Sequence, residues 1–139
     1  MNNVYSLDKI CDVTLDIYKP CVIFLTWDLW AGKTTFTKHI IQNILWVDAE
    51  VTSPTYTYYN TYKMPNNGWD IYHFDLYRIS DYEEFIHIGW EEILDNNMWI
   101  VIIEWPQILW RNYVADISIE LKNTHIENER EIIISKKWD

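Results

Sequence analysis

Lys33 and Thr34 follow Gly32 where a buried apolar run, "CVIFL" (21–25), passes through a short loop into a segment of helical spacing, Phe36, Ile40, Ile41, Ile44 and Leu45. A lysine and a hydroxyl residue at the head of a helix suit phosphate chemistry. Unpaired backbone N–H groups and the positive end of the helix dipole attract phosphate oxygens there; the lysine reaches the β- and γ-phosphates and the hydroxyl coordinates Mg²⁺. The G-K-T string alone is a weak signal, but the order strand, loop, helix is the context a phosphate loop requires. The candidate cradle is Trp27, Asp28, Leu29, Trp30, Ala31 and Gly32, with Lys33, Thr34 and Thr35 opening the helix.

Glu104 ends a second apolar strand, "IVIIE". In phosphate-loop proteins an acid at such a strand end holds the magnesium or its water, because the sheet brings neighbouring carboxyl ends beside the loop. The expectation is therefore that Glu104 sits across from Thr34. The plain alternative is a solvated carboxylate at a strand end.

Two positions of the loop depart from the phosphate-loop signature, which wants glycine at 27 and, in G-A-G-K-T loops, glycine at 30. Both are tryptophan. Glycine serves there because the backbone adopts torsions costly to other residues and approaches phosphate closely, so an indole implies strain of roughly 1–3 kcal/mol per residue. The chain has nine tryptophans and three glycines, where average usage gives roughly ten glycines. Two readings stay open. Either the loop is degenerate and the protein binds partners without hydrolysing a nucleotide, or UGA codons of an AT-rich gene are glycine in the organism and stand as tryptophan in the chain. The second is favoured by the scarcity of Ala, Gly, Pro and Arg, and it assigns Trp27, Trp30 and Trp46 to glycine codons while keeping Trp105 as tryptophan.

At 139 residues, with 49% hydrophobic and 23% charged residues, the chain reads as one globular domain, 1–139, with no repeat or low-complexity stretch. The longest apolar run is far shorter than the roughly 20 residues of a membrane span, and no signal-peptide pattern opens the sequence, so a soluble cytoplasmic protein without membrane contact is expected. A net charge of −10 argues against direct nucleic-acid binding, which relies on clustered Lys and Arg. Cys11 and Cys21 match no metal or redox spacing and read as buried thiols.

Ser6 is a candidate cap for a short helix through Ile10, Cys11 and Ile17. "YTYYNTY" and "WDIYHFDLY" read as an antiparallel pair around the turn "KMPNNG"; residues 81–94 read as one amphipathic helix capped by Asp81; "DISIEL" and "REIIIS" read as a closing hairpin. The sum is an α/β fold with parallel and antiparallel strands, a three-layer sandwich of the phosphate-loop type. His39 and His87 read as surface or partly buried helix residues, and His73 and Tyr77 as packing or cross-sheet pairs.

"DLWAGKTTF", "VTSPTYTYYNTY", "YHFDLYRISDYEEF", "IGWEEIL" and "IIEWPQ" together resemble the TsaE (YjeE) family, small bacterial ATPases of tRNA threonylcarbamoyladenosine synthesis, over about Cys21 to Gln107. The resemblance implies ATP and Mg²⁺ as cofactors, TsaB and TsaD as partners, and tRNA contact only through them. It implies that Lys33 and Thr34 are the nucleotide-loop lysine and magnesium ligand and Glu104 the strand-end acid. It further implies that Ser53 or Thr55 senses the γ-phosphate or positions water, that Asp75 lies near nucleotide and metal, that Trp105 is a family tryptophan, and that Arg130 approaches the nucleotide. The rival from another class is a non-catalytic binding subunit with a degenerate loop; a small-molecule kinase is disfavoured because no segment is long enough for a lid.

Overall fold

Among the described residues seven strands form one mixed sheet in the order β1-β7-β6-β2-β5-β4-β3. The computed structural model describes residues 2–17, 19–28, 33–52, 54, 58–64, 69–96 and 98–137, and of Asn2, Leu7, Asp8, Lys33 and Thr34 the backbone only. Leu29, Trp30, Ala31, Gly32, Ser53 and Thr55 lie outside the described residues.

The centre of the sheet is parallel. β2 (Val22–Trp27) lies between β5 (Ile100–Glu104) and β6 (Ile117–Asn123), and β4 (Asp70–Asp75) runs parallel to β5. Every residue of β5 is buried, which is why its sequence is an unbroken apolar run rather than an alternating one. The flanks are antiparallel: β3 (Tyr59–Lys63) pairs β4, β7 (Glu129–Lys136) pairs β6, and β1 (Asn2–Ser6) pairs β7. The expected pair around 59–75 and the closing hairpin are both present; β1 was not legible.

Helices lie on both faces. On one, α1 (Lys33–His39), continued by a wide π turn over Ile40–Ile44, places Phe36, Ile40, Ile41 and Leu45 on Ile23, Leu25, Ile102, Ile119 and Leu121. On the other, α2 (Tyr82–Ile88), α3 (Glu91–Asp95) and the 3-10 turn Pro106–Leu109 contribute Phe85, Trp90, Leu94 and Leu109 to a cluster with Phe24, Phe74, Val101 and Ile103. This is the expected three-layer α/β arrangement. Among the described residues no helix is long and apolar enough to cross a membrane.

Four local readings are corrected. The segment after Ser6 is a 3-10 turn, Leu7–Asp12, and Ser6 makes no side-chain cap bond. Residues 81–94 form two helices because Gly89 takes φ 90° at the end of α2, a left-handed conformation that terminates a helix. Asp81 does cap α2, accepting from the Glu84 N–H at 2.8 Å, while Glu84 accepts from Ser80 N–H and Oγ–H. His39 is buried: its Nε2–H donates to the Val13 carbonyl at 2.7 Å and Nδ1 faces the Asn43 amide, pinning the preceding segment to α1. Cys11 is exposed and only Cys21 is buried.

At the end of the first helix, Leu45 N–H bonds to Ile40 O and Val47 N–H to Ile41 O, and the residue between them, Trp46, has φ 59°. This is the left-handed closing position that glycine fills at no steric cost. The Trp46 indole is 76% exposed, so little burial compensates.

Trp46→Gly is expected to stabilise the fold by up to about 1 kcal/mol, since relief of roughly 1–2 kcal/mol of left-handed strain exceeds the added chain entropy of glycine. Urea denaturation checks it; a lower midpoint would contradict the strain assignment. The Cys21 thiol is pushed up to about 12, chiefly by burial and further by Asp116, with Lys19 opposing. A disulfide reagent at neutral pH should titrate Cys11 alone in the native protein and both thiols after unfolding.

Candidate functional site

Because β6, β2, β5 and β4 are parallel, their carboxyl ends share one edge of the sheet, the position at which open α/β sheets bind ligands. Glu104, Asp75 and Trp27 are the last residues of β5, β4 and β2. Glu104 is in register with Leu25 of β2 on one side and with Asp75 of β4 on the other. α1 begins at Lys33 and packs over the face of the sheet that carries Ile23, Leu25 and Ile102.

Strand alternation turns Glu104 toward α1, on the face that also carries Ile100 and Ile102. It is 1% exposed. The Thr37 hydroxyl donates to Glu104 Oε1 at 3.0 Å, so the acid lies beneath the first turns of the helix that Lys33 and Thr34 open. From β4, His73 brings Nε2 to 3.0 Å from Glu104 Oε2. At that separation the two atoms are in contact but not aligned as a hydrogen bond, and Glu104 Oε2 has no hydrogen-bond partner among the described residues.

A buried carboxylate oxygen of this kind at the head of a strand fits a cation, and carboxylate and threonine oxygens are the hard donors Mg²⁺ prefers. Among the described residues no group of three or more His, Cys, Asp and Glu could hold a metal.

The other expected residues spread along the same edge. Asp28 extends β2: its N–H donates to Leu121 O and its Oδ2 accepts from Asn123 N–H, both at 2.9 Å, so its carboxylate ties β2 to β6. Asp75 Oδ1 accepts from Tyr77 N–H at 3.0 Å and shapes the turn after β4. Thr35 is exposed on the first turn of α1. Arg130 stands at the same end of the sheet, but two strands beyond β2, and its Nη1 donates to Glu127 O and Glu129 O within the final hairpin. Trp27 packs edge-on against Trp105, ring centroids 5.4 Å apart, and Trp105 in turn meets Tyr77 at 5.1 Å. Trp105 takes φ 57°, a strained conformation directly after the buried acid.

Sequence reasoning missed Thr37 and His73 as the groups that hold Glu104. Each left a faint signal: Thr37 is a polar residue on the apolar face of a helix, and His73 replaces an aliphatic residue where Ile71 sets the buried parity of β4.

A family profile described as threonylcarbamoyl adenosine biosynthesis protein TsaE matches residues 4–132. Similar curated proteins include the tRNA threonylcarbamoyladenosine biosynthesis protein TsaE of Rickettsia typhi, 34% identical over 84% of this chain and 77% of the relative. The protein of the same name from Bacillus subtilis is 33% identical over 94% and 79%. A crystal structure of Bacillus subtilis YdiB superposes with a TM-score of 0.65 at 24% identity, covering 98% of this chain and 86% of that one, and so shares the fold.

Thr37→Val should cost about 1–3 kcal/mol in urea denaturation, because it strips a buried carboxylate oxygen of its donor. Thr35→Val, at an exposed position on the same helix, should change stability by less than about 0.5 kcal/mol. Equal effects at the two positions would mean that the Thr37–Glu104 bond contributes nothing.

Proposed function

The chain belongs to the TsaE family of threonylcarbamoyl adenosine biosynthesis, and we propose that within that pathway it is the subunit that binds and hydrolyses ATP with Mg²⁺. The observation that carries this reading is the 3.0 Å bond from Thr37 to Glu104, which brings a buried strand-end acid beneath the helix opened by Lys33 and Thr34.

In this reading the loop amides from Trp27 to Gly32 and the Lys33 ammonium hold the β- and γ-phosphates, while the Thr34 hydroxyl and Glu104 hold magnesium, directly or through its water. The cation, when bound, neutralises charge that develops on the phosphate oxygens. Asp75, next to Glu104 across β4 and β5, adds a second acid at the metal edge. Ser53 or Thr55 orients the attacking water or senses the γ-phosphate, and Arg130 approaches from the final hairpin. Catalysis of this kind needs positioning and charge stabilisation rather than a covalent intermediate. Hydrolysis drives turnover of a cytoplasmic complex with TsaB and TsaD, which carry the contact with tRNA; a chain of net charge −10 is poorly suited to hold RNA itself.

A second reading, a non-catalytic binding subunit, is favoured by one observation: Trp27, where the phosphate-loop signature wants glycine, ends β2 without a left-handed torsion, and its indole is seated against Trp105 at the edge where phosphates would lie.

Calorimetry with ATP and Mg²⁺, on the chain and on the double variant Trp27→Gly, Trp30→Gly, separates the two. The ATPase reading expects binding by at least the glycine form, and phosphate release stimulated by TsaB and TsaD. Failure of both forms to bind ATP would leave the binding-subunit reading. Release stimulated by a small metabolite instead would point to a kinase.

A further inference from the structure

Among the described residues the Glu104 carboxylate meets two polar side chains from different elements, Thr37 of α1 on Oε1 and His73 of β4 on Oε2. Both partners are buried. The His73 imidazole touches the carboxylate at 3.0 Å without hydrogen-bond alignment, and neither of its ring nitrogens has a hydrogen-bond partner among the described residues.

A core built for stability alone has no use for this arrangement. Ile71 and Ile102 flank the pair on the same sheet face, and exchanging a buried polar pair for aliphatic residues is often neutral or stabilising. The buried imidazole and carboxylate instead mark a place where polar groups are kept despite their cost, as at sites that present a ligand atom in one orientation. The ring torsion of histidine is broad and soft, so a modest rotation converts the contact into a bond to Oε2.

His73 is also well placed to report on its surroundings. Its strand continues to Asp75, whose N–H bonds to Tyr58 O, and Tyr58 N–H bonds to Pro54 O in the "SPTY" segment. One run of contacts therefore joins that segment, β4, Glu104 and the helix of the phosphate loop.

We propose that His73 is a positioning residue for Glu104: together with Thr37 it fixes which carboxylate oxygen faces the cation, and so sets magnesium affinity rather than nucleotide affinity. The proposal rests on the ATP–Mg²⁺ reading above and names the residue that tunes its metal.

The test is calorimetry of ATP binding with Mg²⁺ and with EDTA, on the parent that binds nucleotide, the chain or its Trp27→Gly, Trp30→Gly form. His73→Leu should lose the magnesium-dependent gain in affinity by about tenfold or more, while ATP binding in EDTA stays within about twofold; His73→Gln, whose amide N–H can reach Oε2, should recover most of the gain. An unchanged magnesium gain in His73→Leu, or equal loss with and without the metal, overturns the proposal. Nitrogen-15 NMR of the histidine rings in the parent gives a readout that needs no variant to fold. The His73 resonances should move on adding Mg²⁺ to the ATP complex, and their standing still would also overturn it. A parent that binds no ATP in either form removes the nucleotide reading and this inference with it, whereas a parent that binds ATP while His73→Leu keeps its magnesium gain removes only this inference.

Discussion

The carboxylate of Glu104 is a polar group buried between α1 and the sheet, and the surrounding architecture answers to that placement. An ion taken out of water loses several kcal/mol of solvation, which only well-placed partners recover. The partners come from separate parts of the chain, so the acid can be held only if the sheet is ordered first. Parallel pairing of β2, β5 and β4 levels their carboxyl ends, strand parity turns Glu104 and His73 to one face, and the return of α1 over that face delivers the Thr37 hydroxyl. Remove any of the three and the charge has no shelter.

The central strands were legible because burial on both faces leaves an unmistakable mark: "CVIFL" and "IVIIE" are too short for helices and too apolar for edges. The two hairpin-like pairs were legible from alternation and turn chemistry. β1 was not, since "NNVYS" carries little apolar pattern of its own and is a strand only because β7 offers an unpaired edge. The single helix expected over 81–94 failed at Gly89, where periodicity continues through a residue whose backbone does not. The order of strand, loop and helix placed Lys33 and Thr34 at the start of a helix and Glu104 at the end of a strand, which is where α1 begins and β5 ends. The Thr37–Glu104–His73 cluster joins residues far apart in sequence, and no local spacing encodes such a meeting.

The tryptophans separate by what their rings and backbones do. Trp46 and Trp105 share a left-handed backbone, yet their environments differ. The indole of Trp46 points to solvent at a helix end, so nothing there offsets a torsion that glycine adopts without strain. The ring of Trp105 is packed between Trp27 and Tyr77, so there the strain accompanies a side chain with a place in the structure. Trp27 differs from both: it ends β2 without a left-handed torsion, so the backbone strain expected at that position is not found, and its ring has a partner in Trp105. Packing, rather than torsion alone, tells these cases apart.

The pairing of β1 with β7 has a consequence for how the molecule is made. Asn2 lies opposite Ile133, and β2 draws its neighbour β6 from nearly a hundred residues away, so the sheet closes through its most distant contacts. During synthesis the opening strand emerges long before the partner that will hold it. It must wait, unpaired, until β7 has been made, and β2 must likewise wait for β6 before the parallel centre acquires its second wall. Folds of this kind assemble slowly and late, because loop-closure entropy is spent before distant strands reward it.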